Sequence, residues 1–225
     1  MIRPRVRTLL HFAGTTGAVG ALALGVSGLA SAQTSGGTWA GYVADSTTYT
    51  SVSATWVQPK VTCSGTSDSY VAFWVGLDGY ADSTVEQIGT EAECVSGTAE
   101  YFAWYELYPA YQVVLSQTVA AGDSITATVS ATTKDVFTLT IKNTTKGWSK
   151  SSQSTDTSVK RASAEVVLEV PASSGVLPIA SGTVTYTDAK VDGANLGAAN
   201  PIEFNGSAAS CGTLVGGTKF TCTWQ

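Results

Sequence analysis

Histidine is almost absent from this chain. The one copy, His11, falls in an N-terminal stretch that reads as a leader. Beyond that stretch no Ser-His-Asp or Cys-His mechanism is open to the chain, and the commonest zinc ligand is missing. Charge is scarce as well. Asp, Glu, Lys and Arg together make up 13% of the residues, against a usual share of about 25%. No basic patch is available to neutralise phosphates, which disfavours a nucleic-acid partner. After the leader no apolar run approaches the length of a membrane span, and no segment carries a convincing helical period. The four cysteines, Cys63, Cys94, Cys211 and Cys222, are not spaced as a metal cluster. No metal and no cofactor is expected.

The leader itself is well marked. Arg3, Arg5 and Arg7 form a basic head, small and apolar residues follow to about Leu29, and Ala30-Ser31-Ala32 offers a small-x-small cleavage site. Residues 1–32 therefore read as a secretory signal peptide. A transmembrane anchor is the competing reading, and Thr15, Thr16, the glycines and the cleavage site speak against it. Residues 33–225 are then one mature domain, secreted and extracellular, off the membrane once cleaved, and expected to be a monomer with a sizeable core. Cleavage leaves nine basic residues against seventeen acidic ones, so the formal charge moves from -5 to -8. A surface of Ser, Thr, Gly and Asn must do the rest, and it keeps its character when carboxylates protonate. In an oxidising compartment the cysteines read as two disulfides. Three connectivities are open; sequential pairing, Cys63 with Cys94 and Cys211 with Cys222, is the simplest.

Strand signals run the length of the mature chain. Thr38–Val43, Tyr49–Val57, Tyr101–Tyr108, Tyr111–Val119, Ile125–Ala131, Val136–Lys142, Ala162–Val170 and Thr183–Tyr186 alternate or are rich in β-branched and aromatic residues. Lys146 to Val159, rich in Ser, Thr and Lys, reads as a loop, and Thr213–Trp224 as a closing hairpin. Many short strands with turn signals between them predict an all-β, antiparallel double-sheet sandwich. Asn143-Thr-Thr and Asn205-Gly-Ser match glycosylation sequons, a pattern common by chance.

Three stretches could carry chemistry. In Phe73–Gly89, Trp74, Gly76 and Asp78 fall on one strand face, Gly79 allows a reversal, and the return strand ending at Gly89 carries Gln87. An amide near a Trp and an Asp is a candidate for chemistry; the plainer reading is a hairpin whose Asp78 and Gln87 cap turns. In Glu100–Tyr111, Phe102, Trp104, Glu106 and Tyr108 share a face, which suits a sugar platform, a peptide groove or an aromatic core strand. In Arg161–Pro171, Glu165 and Glu169 lie on one face, about 13 Å apart on an extended strand. They cannot act as a close pair, and the plainer reading leaves both as solvated outer-face acids.

Seven motifs in order carry a family resemblance: TWAGY at 38–42, SATWVQP at 53–59, WVGLDG at 74–79, EQIG at 86–89, AWYELYP at 103–109, GDSI at 122–125 and AEVVLE at 164–169. The chain resembles the glutamic peptidases, or eqolisins, which are acid endopeptidases. The resemblance implies a concanavalin A-like, jelly-roll sandwich with its site on one concave sheet. It implies a catalytic pair, Gln87 and Glu169, with Trp39, Trp74, Asp78 and Glu106 in support, and polypeptides as substrates. Trp104 and Tyr108 are further candidates for substrate contact. Leu107 stands where the family usually has a second Trp, Val170-Pro171 replaces a commonly acidic position, and the first motif begins only six residues after the expected cleavage site, leaving little room for the propeptide of fungal members.

These residue types suit the reaction. Amide hydrolysis needs an activated water, a stabilised oxyanion and a proton for the leaving nitrogen. A carboxylate can move the proton, and a carboxamide can donate to the oxyanion and hold the water. A free glutamate titrates near pH 4.3, so activity is expected at acidic pH. Two rivals stand beside this reading. A glycoside hydrolase would need two close acids, for which Glu106 and Glu169 are the attractive pair. A carbohydrate-binding module would stack sugars on Trp74, Trp104 and Tyr108.

Overall fold

Period-two alternation becomes strand along most of the chain. The computed structural model describes residues 37–80, 83–132, 135–157, 159–170 and 179–225; the expected leader and Pro171 lie outside them. In chain order the strands are β1 (Trp39–Ala44), β2 (Ser51–Val57), β3 (Ser69–Leu77), β4 (Val85–Val95), β5 (Thr98–Tyr108), β6 (Val113–Thr118), β7 (Ser124–Ala131), β8 (Val136–Asn143), β9 (Trp148–Thr155), β10 (Ala164–Glu169), β11 (Gly182–Val191), β12 (Ala194–Asn195), β13 (Ile202–Phe204), β14 (Ala209–Cys211) and β15 (Phe220–Trp224). One 3₁₀ turn, Leu196–Ala199, follows β12.

Two antiparallel sheets result. The first has the order β13-β1-β10-β3-β4-β5-β6, and the second β14-β15-β11-β2-β7-β8-β9 with β12 on the flank of β11. Their inner faces interdigitate in one core, as expected of stacked sheets about 10 Å apart. Many of the large side chains lie on these faces. Tyr186 stacks on Phe220 with ring centres 5.0 Å apart, Tyr42 meets Phe220 edge-on at 4.7 Å, and Trp56 meets Tyr186 at 5.8 Å. Two buried hydrogen bonds tie the layers: Trp56 Nε1 donates to Thr90 Oγ1 at 3.0 Å, and the Tyr186 hydroxyl donates to the Val167 carbonyl. The second bond reaches β10 from below, beneath the face that carries Glu169.

The sandwich expected from the sequence is the sandwich observed, and the disulfides are the sequential ones, Cys63–Cys94 and Cys211–Cys222. One segment differs. Lys146 to Val159 was expected as a loop, yet Trp148–Thr155 forms β9, paired with β8 from Asn143↔Trp148 to Val136↔Thr155. Its side chains are mostly exposed, so no apolar face announces it. Backbone pairing to a single neighbour suffices at a sheet edge, where Lys150 also discourages further pairing. The return strand β4 likewise runs past Gly89 to Val95, because Thr90, Ala92 and Cys94 continue its inner face.

Candidate active site

Register brings the candidate residues onto the outer face of the first sheet. Paired residues in antiparallel strands point the same way, which gives three successive rows. Trp39, Glu169, Ala72, Glu91 and Phe102 form one; Gly41, Val167, Trp74, Gly89 and Trp104 the next; Val43, Glu165, Gly76, Gln87 and Glu106 the third. Glu169 and Gln87 therefore share a face but not a row. The row between them carries two indoles and two glycines.

Each candidate is held by its neighbours. Glu169 is 1% exposed; its Oε2 accepts from Trp74 Nε1 at 3.1 Å and its Oε1 from Thr38 Oγ1 at 3.4 Å. Trp39 meets Trp74 edge-on with ring centres 4.7 Å apart. Gln87, fully buried, donates from Nε2 to Glu106 Oε2 at 2.7 Å, directly across the β4–β5 ladder. Its Oε1 has no hydrogen-bond partner within the protein, and neither does Trp104 Nε1. Ala72, Trp74, Val85, Trp104 and Val167 form an apolar patch of their own on this face, bordered by Trp39, Tyr70, Phe102, Tyr108 and Phe204.

Glycines make the middle of the face passable. A Cβ on Gly89 would lie 2.1 Å from the Phe73 carbonyl oxygen and 2.6 Å from Trp74 Cβ, so the close approach of β3 and β4 admits no side chain there. A Cβ on Gly76 would lie 2.8 Å from Trp74 Cζ3. The Trp74 ring thus lies over the gap between Glu165 and Gln87.

Asp78 lies just past its strand, where alternation no longer sets its direction. Strand β3 ends at Leu77, and Asp78 adopts a left-handed backbone with φ of 66°. Its carboxylate accepts from the backbone N–H groups of Arg161 and Ala162, both at 2.7 Å, while its own N–H donates to the Ser163 carbonyl. It therefore fixes the entry of β10, which carries Glu169 six residues after Ser163.

Glu165, open to reading as a solvated acid, is fully buried and shares a row with Gln87 across side-chain-free Gly76. Three residues on this face, Gln112, Glu91 and Tyr70, were not singled out by the sequence. Gln112 donates to Glu91 Oε2 at 3.3 Å, both buried. Tyr70 continues the parity of Ala72 and Trp74; burial, and then the charges of Glu169, Glu91 and Glu106, push its phenol well above the ordinary tyrosine range. Extending the alternation of Trp74 back through Ala72 would have found Tyr70. Among the described residues no group of three or more His, Cys, Asp or Glu is arranged to hold a metal ion. A groove on the outer face of the second sheet, lined by Thr55, Val57, Lys60, Thr185 and Lys219 among others, contains none of these residues.

The chemical content of the face is a carboxylate fixed by an indole N–H, a carboxamide fixed by a second carboxylate, and aromatic walls. The peptidase A4 family model matches residues 37–224. Aspergillopepsin-2 of Aspergillus niger is 30% identical over 217 residues, covering 83% of this chain and 77% of that protein. Scytalidopepsin B of Scytalidium lignicola is 35% identical over 136 residues, covering 58% of this chain and 50% of that protein. Scytalido-glutamic peptidase, solved with a transition-state analogue inhibitor, superposes with a TM-score of 0.69 at 26% identity, covering 84% of this chain and 98% of that one. On these grounds the chain belongs to the peptidase A4 family, the glutamic peptidases, and is a peptide hydrolase.

Proposed function

We propose that this protein is a secreted endopeptidase that works at acidic pH, with Glu169 as general base and then general acid and Gln87 as its carboxamide partner. Water attacks the scissile carbonyl carbon, and Glu169 takes its proton. The carbonyl oxygen becomes an oxyanion that accepts from the second Nε2 hydrogen of Gln87, while Gln87 Oε1 helps to hold the water. Collapse of the tetrahedral species breaks the C–N bond as Glu169 returns the proton to nitrogen. Acid and amine leave, and no bond to the enzyme forms.

The observation that carries this reading is that both side chains lie on one sheet face, Glu169 held by Trp74 and Thr38 and Gln87 held by Glu106. Trp74 orients Glu169 without protonating it, and Glu106 fixes the orientation of Gln87. The related scytalido-glutamic peptidase binds a transition-state analogue, and we place a peptide substrate here along the same face between the rims set by Tyr108 and Trp39. Two-carboxylate sugar hydrolysis fits less well, because Glu106 is engaged by Gln87.

The test is to incubate the secreted protein with denatured protein at pH 3 to 4 and at pH 7, with and without a transition-state inhibitor of aspartic proteases. Cleavage at acid pH that the inhibitor leaves untouched is the expected outcome. Cleavage confined to neutral pH, or stopped by the inhibitor, would sink the proposal.

A further inference from the structure

We infer that Trp104 is a catalytic residue: its indole N–H is a second donor to the carbonyl oxygen of the substrate as that oxygen becomes an oxyanion. This rests on the Glu169–Gln87 reading and adds a group to it. A buried polar hydrogen with no partner is rare in folded proteins and calls for a reason. Trp104 Nε1 is such a group, in a side chain that is fully buried.

Its position supplies the reason. Trp104 lies in the row between those of Glu169 and Gln87, opposite Gly89 and diagonal to Gln87 across the β4–β5 ladder. Diagonal neighbours stand about 7 to 8 Å apart at Cα, within reach of long side chains acting on one atom. The other donors around this row are committed. Trp74 Nε1 and Thr38 Oγ1 serve Glu169, and one Nε2 hydrogen of Gln87 serves Glu106. Tyr70 stands three rows from Gln87 along β3, beyond Ala72 and Trp74. Trp104 alone among these brings an uncommitted N–H from the row next to that of Gln87. In a site closed to water, a fixed donor of this kind favours the charge that develops during reaction and does little for the neutral ground state.

The experiment replaces Trp104 with 3-benzothienylalanine, which keeps the shape of indole and substitutes sulfur for N–H; Trp104→Phe and Tyr70→Phe are made beside it. Steady-state kinetics use one peptide substrate at acid pH, and inhibition uses its phosphinate analogue, a tetrahedral anion. The benzothienyl protein should lose about 10²-fold in kcat, with KM within about threefold. Its affinity for the phosphinate should weaken in proportion, and its melting temperature should stay unchanged. Tyr70→Phe should keep its kcat within about threefold. An unchanged kcat in the benzothienyl protein, or a loss confined to KM, overturns the inference. The two readings fail separately: active Gln87→Ala and Glu169→Gln variants would remove the dyad, whereas inactive ones beside a fully active benzothienyl protein would remove Trp104 alone.

Discussion

At the scale of single residues, the hold on Glu169 is the most exposed to test. Trp74 Nε1 donates to one carboxylate oxygen, and Trp74→Phe deletes that N–H while keeping a ring in the patch. A hydrogen bond to a charged group contributes about 1.5 to 3 kcal/mol, so kcat should fall roughly tenfold or more, read by steady-state kinetics beside a thermal melt. Gly89→Ala acts on the scaffold instead. Its new Cβ would meet backbone, the Phe73 carbonyl, at 2.1 Å, and the expected loss is at least about 2 kcal/mol in a urea titration. Parity made much of this face legible beforehand: Trp74 with Gly76, Trp104 with Glu106, Gln87 on the return strand. Alternation does not place Asp78, because it ends where φ turns positive, one residue past β3. Whether Glu165 is solvated stays open in the sequence because local pattern cannot tell a sheet face open to water from one roofed by aromatic side chains.

Among the elements, the turn from β6 into β7 has its own titrating node. Asp123 Oδ2 accepts from Asn143 Nδ2 at 2.7 Å, from the Ala120 N–H at 2.8 Å and from Lys146 Nζ at 3.2 Å. Burial alone would raise this carboxyl; the hydrogen bonds and the lysine outweigh it, and the group titrates below the ordinary aspartate range. A carboxyl depressed in the folded state stabilises the fold above its unfolded pKa, and that contribution is lost as pH falls through the folded value. The melting-temperature gap between wild type and Asp123→Asn should therefore be full at pH 5 to 7 and close progressively below about pH 3.8. A gap that persists at pH 2 would contradict this. The same node settles one sequon, since Asn143 is fully buried and its amide nitrogen is occupied. Legibility differs by element. Strands with one apolar face announce themselves, whereas β9, polar on both faces, is defined by its neighbour β8 and leaves no periodic trace.

For the molecule as a whole, scarcity of charge becomes a property of the surface. The outer face of the second sheet carries hydroxyl pairs between strands, Thr55 with Thr126 at 2.9 Å, Thr185 with Thr221 at 2.8 Å and Thr140 with Ser151 at 2.8 Å. Hydroxyls do not titrate between pH 7 and 3, so this face meets acid unchanged, and the far-UV circular dichroism should be the same at both values. Mass spectrometry of the exported protein should find its first residue near Gln33; a retained leader would contradict the secretory reading. The family was legible from seven motifs in order, while the rows that set Glu165 beside Gln87 emerged only with register. That juxtaposition sharpens the decisive measurement, kcat/KM on one peptide at pH 3 to 4 for Glu169→Gln, Glu165→Gln and Gln87→Ala, each shown to be folded. With Glu169 as the base and Gln87 as its partner, the first and third should fall by about 10³-fold or more, and Glu165→Gln should keep at least about a tenth of wild-type activity. An active Glu169→Gln beside an inactive Glu165→Gln would assign the base to the wrong glutamate, and an active Gln87→Ala would leave the carboxamide without a role.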